Sequence, residues 1–448
     1  MKIRRVKWDN HYILGDLELD FVNKNTNKAF STIVFAGENG TGKTTILESL
    51  NSFLCFGSFK PFSFIEYEIN GSIYRITLSV NKNHMRTMLE RLNVSTGEVR
   101  IITEDRNETI QKDDEDLRYY GSVLSKPRAD YKTNVITSIT SHQLDNQRYD
   151  SDRNEDFTSL KQLIVDIQNQ DSEEYLSINQ YRAKNGLLPM SYDDFYPISK
   201  IYRFKNAFDS FFPTMKYEKV ITVNGHKEIL FNKEGVEVEI DKLSTGEKQV
   251  VFRGAYLLKN INQLKDSVVM IDEPELSMHP KWQCEILKYY KNLFFDKSNE
   301  QTVQLFVASH SEAVISAALK DMDKSKVIVL NRFNNKVTSN GIINPAVLPY
   351  TLAAEVNYQA FGVLSTDYHN ALYGYMEAEG WKTEFDALQD SVQYTKLKRN
   401  GSTEVCMISM TEKIRHIIHH PENSHNSYSA EDLQISIDKM RRFIIHNS

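Results

Sequence analysis

Cysteine is scarce in this sequence, with three residues among 448. Cys55, Cys284 and Cys406 lie far apart and outside any CxxC spacing, which argues against a disulfide framework and against a structural zinc site. Long apolar runs are also absent, so the sequence offers no membrane-spanning helix, and its positively charged start lacks the apolar stretch of a secretory signal. We therefore expect a cytoplasmic protein that does not use a membrane.

An excess of positive charge is missing as well. The net charge is -6, while 25% of the residues are charged and 40% are hydrophobic. A negative total gives no overall attraction to nucleic acid, so such binding would need a local basic patch or a partner. The composition is otherwise that of a compact globular protein with one large core or two ordinary ones.

Hydrophobic patterning indicates an α/β protein. Alternating strands dominate the N-terminal part, with a hairpin centred on Asn70-Gly71 and a small meander over residues 216–241. From Ser267 onward, apolar strands alternate with helices, which is typical of parallel strands with helical crossovers. The sequence therefore predicts a mixed β lobe joined to a parallel sheet.

Two domains are predicted from the change in pattern along the chain. Residues 1–348 form the α/β domain, which encloses a short helical insert at about 157–212, and residues 349–448 form an α-helical C-terminal domain. We expect the second domain to serve contacts within an oligomer or with a partner.

A phosphate-binding loop lies close behind the N-terminus, in FAGENGTGKTT. Its spacing is Gly37-x4-Gly42-Lys43-Thr44, between an apolar strand and a helix. Backbone N–H groups of such a loop surround phosphate oxygens, the lysine pairs with the β- and γ-phosphates, and the threonine hydroxyl binds Mg²⁺. The cofactors implied are ATP and Mg²⁺. The predicted contacts are Asn39, Gly40, Thr41, Gly42, Lys43, Thr44 and Thr45.

A second part of the site is predicted at VVMIDEPE, where an apolar strand ends in Asp272 and Glu273. Asp272 would hold Mg²⁺, and Glu273 would orient and activate the attacking water. His310 ends the next apolar strand, QLFVAS, and is the second catalytic candidate. Trp8 and Tyr12, near the first strand, are aromatic candidates for the adenine contact.

The order of these motifs resembles that of ABC-type ATPases. The segment LSTGEKQ, residues 243–249, lies in the sequence between the phosphate-binding loop and the acidic strand end VVMIDEPE. It resembles the signature of the ABC family. The resemblance implies an ABC-type head with a RecA-like sheet, in which Ser244, Gly246 and Glu247 meet the nucleotide of a second subunit. It also implies that His310 senses the γ-phosphate, and it suggests Gln143 as the glutamine that connects the two lobes.

Such a composite site implies a homo-oligomer built on dimers that sandwich ATP. Within this SMC/RecF/OLD-like class, the lack of membrane spans and of long heptad arms argues against transporters and SMC-type cohesins. The motif EPELSMHPKWQ resembles the soluble branch with OLD-type and RecF-like proteins. The C-terminal segments AEVNYQAFGVLSTDYHNALYGYMEAEGW and EKIRHIIHHPENSHN resemble the PtuA family, the ATPase subunits of Septu and some retron anti-phage systems. That resemblance implies an HNH nuclease partner, PtuB-like, and places nuclease activity in the partner rather than in this chain.

The cluster Arg415, His416, His419 and His420 permits three interpretations. Arg415 and His420 fit the loose pattern of HEPN ribonucleases, in which arginine stabilises phosphate and histidine assists 2'-hydroxyl attack. The cluster could equally form a surface for a partner or for nucleic acid, or it could simply end a helix. An ATP-gated ribonuclease that uses Arg415 and His420 is therefore one alternative to a Septu-like ATPase. A RecF-like DNA-repair clamp is the other.

Overall fold

The protein divides into two compact units, Met1–Asn340 and Gly341–Ser448. This computed structural model describes residues 1–81, 86–103, 121–128, 131–145, 150–151, 157–296, 298, 300–334, 336–342, 346–350, 352–398 and 401–447. The second unit therefore begins a few residues before the boundary that the sequence predicted after residue 348. The reason is that Val347 and Leu348 pack in the apolar core of the second unit.

A seven-stranded sheet forms the centre of the first unit. Its strand order is β11-β10-β15-β16-β5-β17-β18, and the pairings from β11 to β17 are parallel. Numbered in chain order, its strands are β5 (Thr32–Ala36), β10 (Ser122–Ser125), β11 (Asp150–Ser151), β15 (Val268–Asp272), β16 (Gln304–Ala308), β17 (Ser325–Phe333) and β18 (Lys336–Gly341).

Antiparallel strands form the rest of the β structure of this unit. A six-stranded sheet has the order β2-β1-β6-β7-β8-β9, a three-stranded sheet has the order β12-β13-β14, and β3 pairs with β4. These strands are β1 (Lys2–Trp8), β2 (Glu18–Asp20), β3 (Val22–Asn23), β4 (Lys28–Ala29), β6 (Phe62–Ile69), β7 (Ser72–Asn81), β8 (Arg86–Asn93), β9 (Val99–Thr103), β12 (Met215–Val223), β13 (His226–Lys233) and β14 (Val236–Glu239). The predicted meander is the sheet β12-β13-β14.

Helices cross between the parallel strands and build the insert. They are α1 (Lys43–Leu54), α2 (Phe157–Lys184), α3 (Tyr192–Phe195), α4 (Tyr202–Phe211), α5 (Thr245–Leu258), α6 (Pro280–Leu293) and α7 (Glu312–Leu319). Short 3-10 turns occupy Tyr196–Ile198 and Ile240–Lys242. The insert thus consists of α2, α3 and α4, in the region where the sequence predicted helices.

The apolar core of the first unit explains why the phosphate-binding loop is held firmly. Every residue of β5 is buried, as expected for a central parallel strand covered on both faces. On α1, Ile46, Leu47 and Leu50 are completely buried and join the same cluster as Phe35 of β5. The loop between β5 and α1 is therefore supported by core packing on both sides.

The second unit is helical, but its described residues also include a β-hairpin. Its elements are α8 (Ala353–Phe361), α9 (Thr366–Ala378), α10 (Lys382–Ala387), β19 (Ser391–Leu397), β20 (Thr403–Ser409), α11 (Met410–His419) and α12 (Ala430–Asn447). Tyr368, Leu372, Ile437 and Met440 are buried in its core. The expectation of helix throughout this region missed the antiparallel pair β19-β20.

Together these units confirm the predicted fold class, a mixed α/β protein with a parallel sheet and a helical C-terminal region. Among the described residues, no helix combines the length and the apolar character that a membrane crossing requires.

Candidate nucleotide-binding site

Three neighbouring strands bring the predicted catalytic residues to one edge of the parallel sheet. The order β15-β16-β5 places the loop after β5, Asp272 at the end of β15 and His310 just after β16 side by side. The carboxyl ends of parallel strands share an edge, where ligands of such sheets bind. Residues distant in the sequence therefore form one site.

The loop from Gly37 to Gly42 has the geometry of a phosphate cradle. Gly37 has φ +132°, and a Cβ there would lie 2.3 Å from the carbonyl oxygen of Leu330, so the position excludes a larger residue. The Lys43 ammonium donates to the carbonyl oxygens of Gly37 and Glu38, each at 2.8 Å. Burial lowers the pKa of Lys43 to about 8, although Asp272, among other nearby carboxylates, acts in the opposite direction.

The remaining loop residues take distinct positions around this cradle. Asn39 and Gly40 are exposed, whereas Thr41 is buried and donates its hydroxyl to the carbonyl oxygen of Glu38. Gly42 precedes the first turn of α1, and Thr45 lies half-buried in that turn. The N–H groups at a helix start attract anions, so the loop and α1 together suit a phosphate chain.

The residues predicted to bind magnesium lie in direct contact. The Thr44 hydroxyl donates to Oδ2 of Asp272 at 2.9 Å. The other carboxylate oxygen, Oδ1, is buried and has no hydrogen-bond partner among the described atoms. Burial raises the pKa of Asp272. A hydroxyl and an incompletely satisfied carboxylate are oxygen ligands of the type that Mg²⁺ prefers, so these two residues fit the ion.

The two predicted catalytic residues also lie together. Nε2 of His310 is 3.6 Å from Oε1 of Glu273. Burial and the charge of Lys43 lower the pKa of His310, which favours the neutral imidazole. Both side chains remain about one-third exposed, so the site is open to a ligand.

Glu275 lies at the site as well, and the sequence interpretation gave it no role there. Its carboxylate oxygen Oε1 accepts hydrogen bonds from the Ser309 hydroxyl and the His310 backbone N–H, at 2.9 and 2.7 Å. Burial raises the pKa of Glu275. The residue thus ties the end of β15 to the loop that carries His310. Its position in DEPE, two residues after Glu273, was the available signal.

The signature segment begins helix α5 with a capping box. The Ser244 hydroxyl accepts from the Glu247 backbone N–H, while the Glu247 carboxylate accepts from the Ser244 backbone N–H. Burial alone would raise the pKa of Glu247, but hydrogen bonds from Lys233 and Ser244 outweigh it and lower the pKa. Glu247 is therefore buried as a capping residue, whereas Ser244 is exposed to solvent.

Gly246 faces the loop after β15, not the phosphate loop of the same chain. A Cβ on Gly246 would lie 2.6 Å from the carbonyl oxygen of Ser277, so only glycine permits this approach. Ser244 presents its side chain at the exposed start of α5. The start of α5 therefore packs on the segment after β15 through Gly246 and leaves Ser244 exposed.

Gln143 lies in a different part of the first unit from the one its predicted role requires. It is exposed, and its neighbour Asp145 donates its N–H to Lys259 and accepts from Arg203 at the far end of α5. The strand that pairs with β15 on the side opposite β16 is instead β10, whose last residue, Ser125, lies opposite Ile271. The sequence suggested Gln143 because it follows NVITSIT, which alternates like a strand, but residues 131–145 hold only an isolated bridge between Ile136 and Lys227.

The two adenine candidates differ in exposure. Trp8 is completely buried, and its indole N–H donates to the Ser49 hydroxyl at 3.1 Å, so it is not available to stack on a base. Tyr12 is 86% exposed and stacks on His11. Of the two, Tyr12 alone retains an open aromatic face.

The C-terminal cluster divides into two groups of side chains. Arg415 contacts His419, donates to Asn370 at 3.1 Å and lies over the Tyr373 ring.

His416 instead stacks between Tyr394 and His420, and His420 pairs with Glu422 at 3.1 Å. Arg415 and His420 therefore engage different partners, an arrangement that does not favour the HEPN-like pairing.

A curated relative, "Retron Vc95 probable ATPase" of Vibrio cholerae serotype O1 biovar El Tor, is 28% identical over 108 residues. That match covers 22% of this chain and 20% of the relative, so this chain aligns with only a small part of it.

Two solved SMC head structures are also similar. The SMC head domain from Thermotoga maritima has a TM-score of 0.35 and 14% identity, covering 77% of this chain and 100% of that one. The Smc head domain bound to the C-terminal domain of ScpA derived from Pyrococcus furiosus has a TM-score of 0.38 and 13% identity, covering 76% and 96%.

A protein-family model matches residues 33–316, which is more than half of the 448-residue chain. The match begins within β5 and ends within α7, so it includes the phosphate loop, the signature, the acidic strand end and His310. The chain therefore belongs to the family described as AAA domain, putative AbiEii toxin, Type IV TA system.

Proposed function

We propose that this protein is an ATP-hydrolysing subunit whose active sites are completed by a second copy of the chain. The observation that carries the proposal is the contact between Thr44 and Asp272 at 2.9 Å, beside the buried Lys43. A lysine in a loop of backbone N–H groups and a paired hydroxyl and carboxylate are suited to a nucleoside triphosphate with its metal.

Each side chain at the sheet edge has a distinct role in this proposal. Lys43 exchanges its bonds to loop carbonyls for bonds to phosphate oxygens, and Thr44 with Asp272 holds Mg²⁺. The ion supplies electrostatic stabilisation of phosphate charge when bound. Glu273 orients and deprotonates the attacking water. His310, whose Nε2 lies 3.6 Å from Oε1 of Glu273, senses the γ-phosphate.

The exposed signature supports completion by a second copy. Ser244 lies at the start of a capped helix with its positive end toward solvent, and such helix ends attract phosphate. In a twofold dimer each signature would meet the nucleotide held by the other chain. ATP would then bridge the two copies, and loss of the γ-phosphate would release them.

The variant Glu273→Gln tests this proposal. We expect ATP turnover to fall by about 100-fold or more because the general base is lost, while MgATP still binds. The variant should sediment as a dimer in excess MgATP and as a lone protomer without nucleotide. Glu300→Gln makes the same chemical change at an exposed loop and should behave as the wild type. A protomer that stays single with MgATP bound would overturn the composite site.

We further propose that the ATPase acts in an anti-phage defence complex and regulates an associated HNH nuclease. The similarity to a retron ATPase and the C-terminal resemblance to PtuA support this assignment. Its test is co-expression with a neighbouring HNH protein, followed by mass measurement of the purified complex. A defined complex that cuts nucleic acid, with cutting altered by Lys43→Ala, would support it. No association, or cutting unaffected by nucleotide, would contradict it.

A further inference from the structure

One face of helix α5 packs along the segment that carries the catalytic acids Asp272 and Glu273. Gly246, Gln249 and Arg253 are spaced so that they share that face. Gly246 approaches Ser277, and the Gln249 amide donates to the carbonyl oxygen of Leu276 at 2.6 Å. Helix α5 therefore connects the exposed signature at its start with the acidic segment after β15.

Arg253 makes the deepest of these contacts. Its guanidinium donates to the carbonyl oxygens of Asp272 and Glu273, at 2.7 and 3.0 Å. It also donates to the carbonyl oxygen and the hydroxyl of Ser125, each at 2.9 Å. One side chain of α5 thus binds the ends of β15 and β10 together.

The burial of Arg253 indicates that this position requires the hydrogen-bond donors of an arginine. The residue is 2% exposed, and a buried cation is costly unless its donors are satisfied. Here four neutral acceptors satisfy it, and two of them are the backbone carbonyl oxygens of Asp272 and Glu273. A methionine or leucine would fill the same space without that cost, so packing alone does not account for arginine.

Glu273 needs external support for its backbone. Its φ is +43°, in the left-handed region that a residue with a side chain rarely adopts. Its N–H donates to Ala308 of β16, and its carbonyl accepts from Arg253 at 3.0 Å and from the Leu276 backbone N–H at 3.3 Å. The direction of the catalytic carboxylate therefore depends on these backbone anchors, and Arg253 is the one on α5.

We propose that Arg253 is a positioning residue that transmits engagement of the signature to Glu273 of the same chain. This inference rests on the proposed ATPase function. When Ser244 and Gly246 meet the nucleotide of the second copy, a small shift of α5 moves the guanidinium and, through two carbonyl groups, the acids. Each chain then hydrolyses its own ATP only after its signature is engaged, which couples the two sites.

The test compares Arg253→Lys with Arg203→Lys. Lysine keeps the charge but cannot reach four acceptors with one ammonium. Arg203 is a matched control because it binds Asp145 and the carbonyl oxygen of Leu258 at the other end of α5. We expect Arg253→Lys to lower kcat about 10- to 100-fold while the Kd for MgATP changes less than about twofold. Arg203→Lys should leave both unchanged.

A second readout separates positioning from simple support of the fold. The measurement is made at protein concentrations high enough that turnover per chain no longer increases with concentration. There the wild type should show a Hill coefficient for ATP above one, and Arg253→Lys should reduce this coefficient to one. Gln249→Leu, which loses the bond to Leu276, should lower the coefficient in the same direction. A coefficient unchanged in Arg253→Lys, or a kcat equal to that of the wild type, would overturn the inference.

Failure of the underlying function gives a different result. A wild-type protein that hydrolyses no ATP at any concentration would refute the proposed ATPase itself. An active wild type whose Arg253→Lys variant loses nucleotide affinity and thermal stability together, with cooperativity intact, would refute Arg253 as a positioning residue and leave the ATPase standing.

Discussion

Thr44 and Asp272 are separated by 228 positions in the sequence, yet the hydroxyl of one lies 2.9 Å from the carboxylate of the other. The contact forms because β5 and β15 flank β16 in a parallel sheet and end at the same edge. It joins the start of helix α1 to the acidic end of β15, and it defines where a metal ion and a triphosphate would meet.

Replacement of Thr44 should weaken the use of magnesium. Thr44→Val keeps the shape of the side chain but removes the hydroxyl, so the Mg²⁺ concentration needed for half-maximal turnover should rise about 10-fold or more. Excess Mg²⁺ should restore part of the rate. Thr302→Val removes a hydroxyl that donates to Phe294 at 2.9 Å, away from the sheet edge, and serves as the control. Equal Mg²⁺ dependence in both variants would contradict the assignment of Thr44.

Nucleotide binding should take up a proton at Lys43. Burial lowers the pKa of this ammonium from 10.5 to about 8, and phosphate charge beside it would raise the pKa again. Calorimetric titration with MgATP at about pH 9, in buffers of different ionisation enthalpy, should therefore show proton uptake. Lys43→Arg keeps a cation that does not titrate there, so its uptake should be smaller.

The same shift of the Lys43 pKa has a consequence for stability. Between the folded value of about 8 and the unfolded value of 10.5, the unfolded chain holds more protons at this residue than the folded chain. The contribution of Lys43 to the free energy of unfolding should therefore rise with pH across that window. Denaturation of the nucleotide-free wild type and of Lys43→Met would measure it, and a difference that is constant with pH would refute it.

A charge at the signature should prevent dimer formation. Ser244→Asp and Ser244→Asn both retain a good helix cap, but only the aspartate brings a negative charge to the helix start. We expect the aspartate variant to lose MgATP-dependent dimers and at least about 10-fold in turnover, because the charge opposes the phosphates of the second copy. Nucleotide affinity of the single chain should remain. Equal behaviour of the two variants in sedimentation would count against a signature that meets phosphate.

The second unit should lose stability in mild acid through His369. This residue is completely buried, its Nε2 lies 3.0 Å from the Ser436 hydroxyl, and burial with nearby Arg415 lowers its pKa to about 4. The folded unit therefore favours the neutral imidazole of His369, whereas the unfolded chain takes up a proton there near pH 6.5. The free energy of unfolding should fall as the pH drops from 6.5 toward 4. The largest effect is about 3 kcal/mol. His369→Gln should flatten this part of the pH dependence in denaturant titrations.

Local patterns predicted most of the fold and the centre of the site. The phosphate loop, the buried β5 and the helix α1 follow one another, so spacing and hydrophobicity were enough to place Lys43 and Thr44. The hairpin β19-β20 was missed because helical patterns surround it. Alternation in SVQYTKL and TEVCMIS, with Asn400-Gly401 between them, was the signal in the sequence.

Two other candidates depended on the direction of side chains. An aromatic residue beside the loop could have faced a base, but Trp8 lies on the buried side of β1. Arg415 and His420 have a plausible spacing in the sequence, yet one contacts Asn370 and the other Glu422. Spacing along a helix does not decide which neighbours a side chain meets.

The sequence by itself determined which residues carry charge, which strands are buried and where glycine permits a phosphate loop, because these features depend on neighbours along the chain. Only the tertiary structure decided that Arg253 holds the backbone of Asp272 and Glu273, and that Glu275 anchors His310. Buried polar groups find partners wherever packing brings donors and acceptors together, and those partners lie far away in the sequence. The residue types of the site were therefore predictable from the sequence, whereas the contacts that hold them in place depended on the fold.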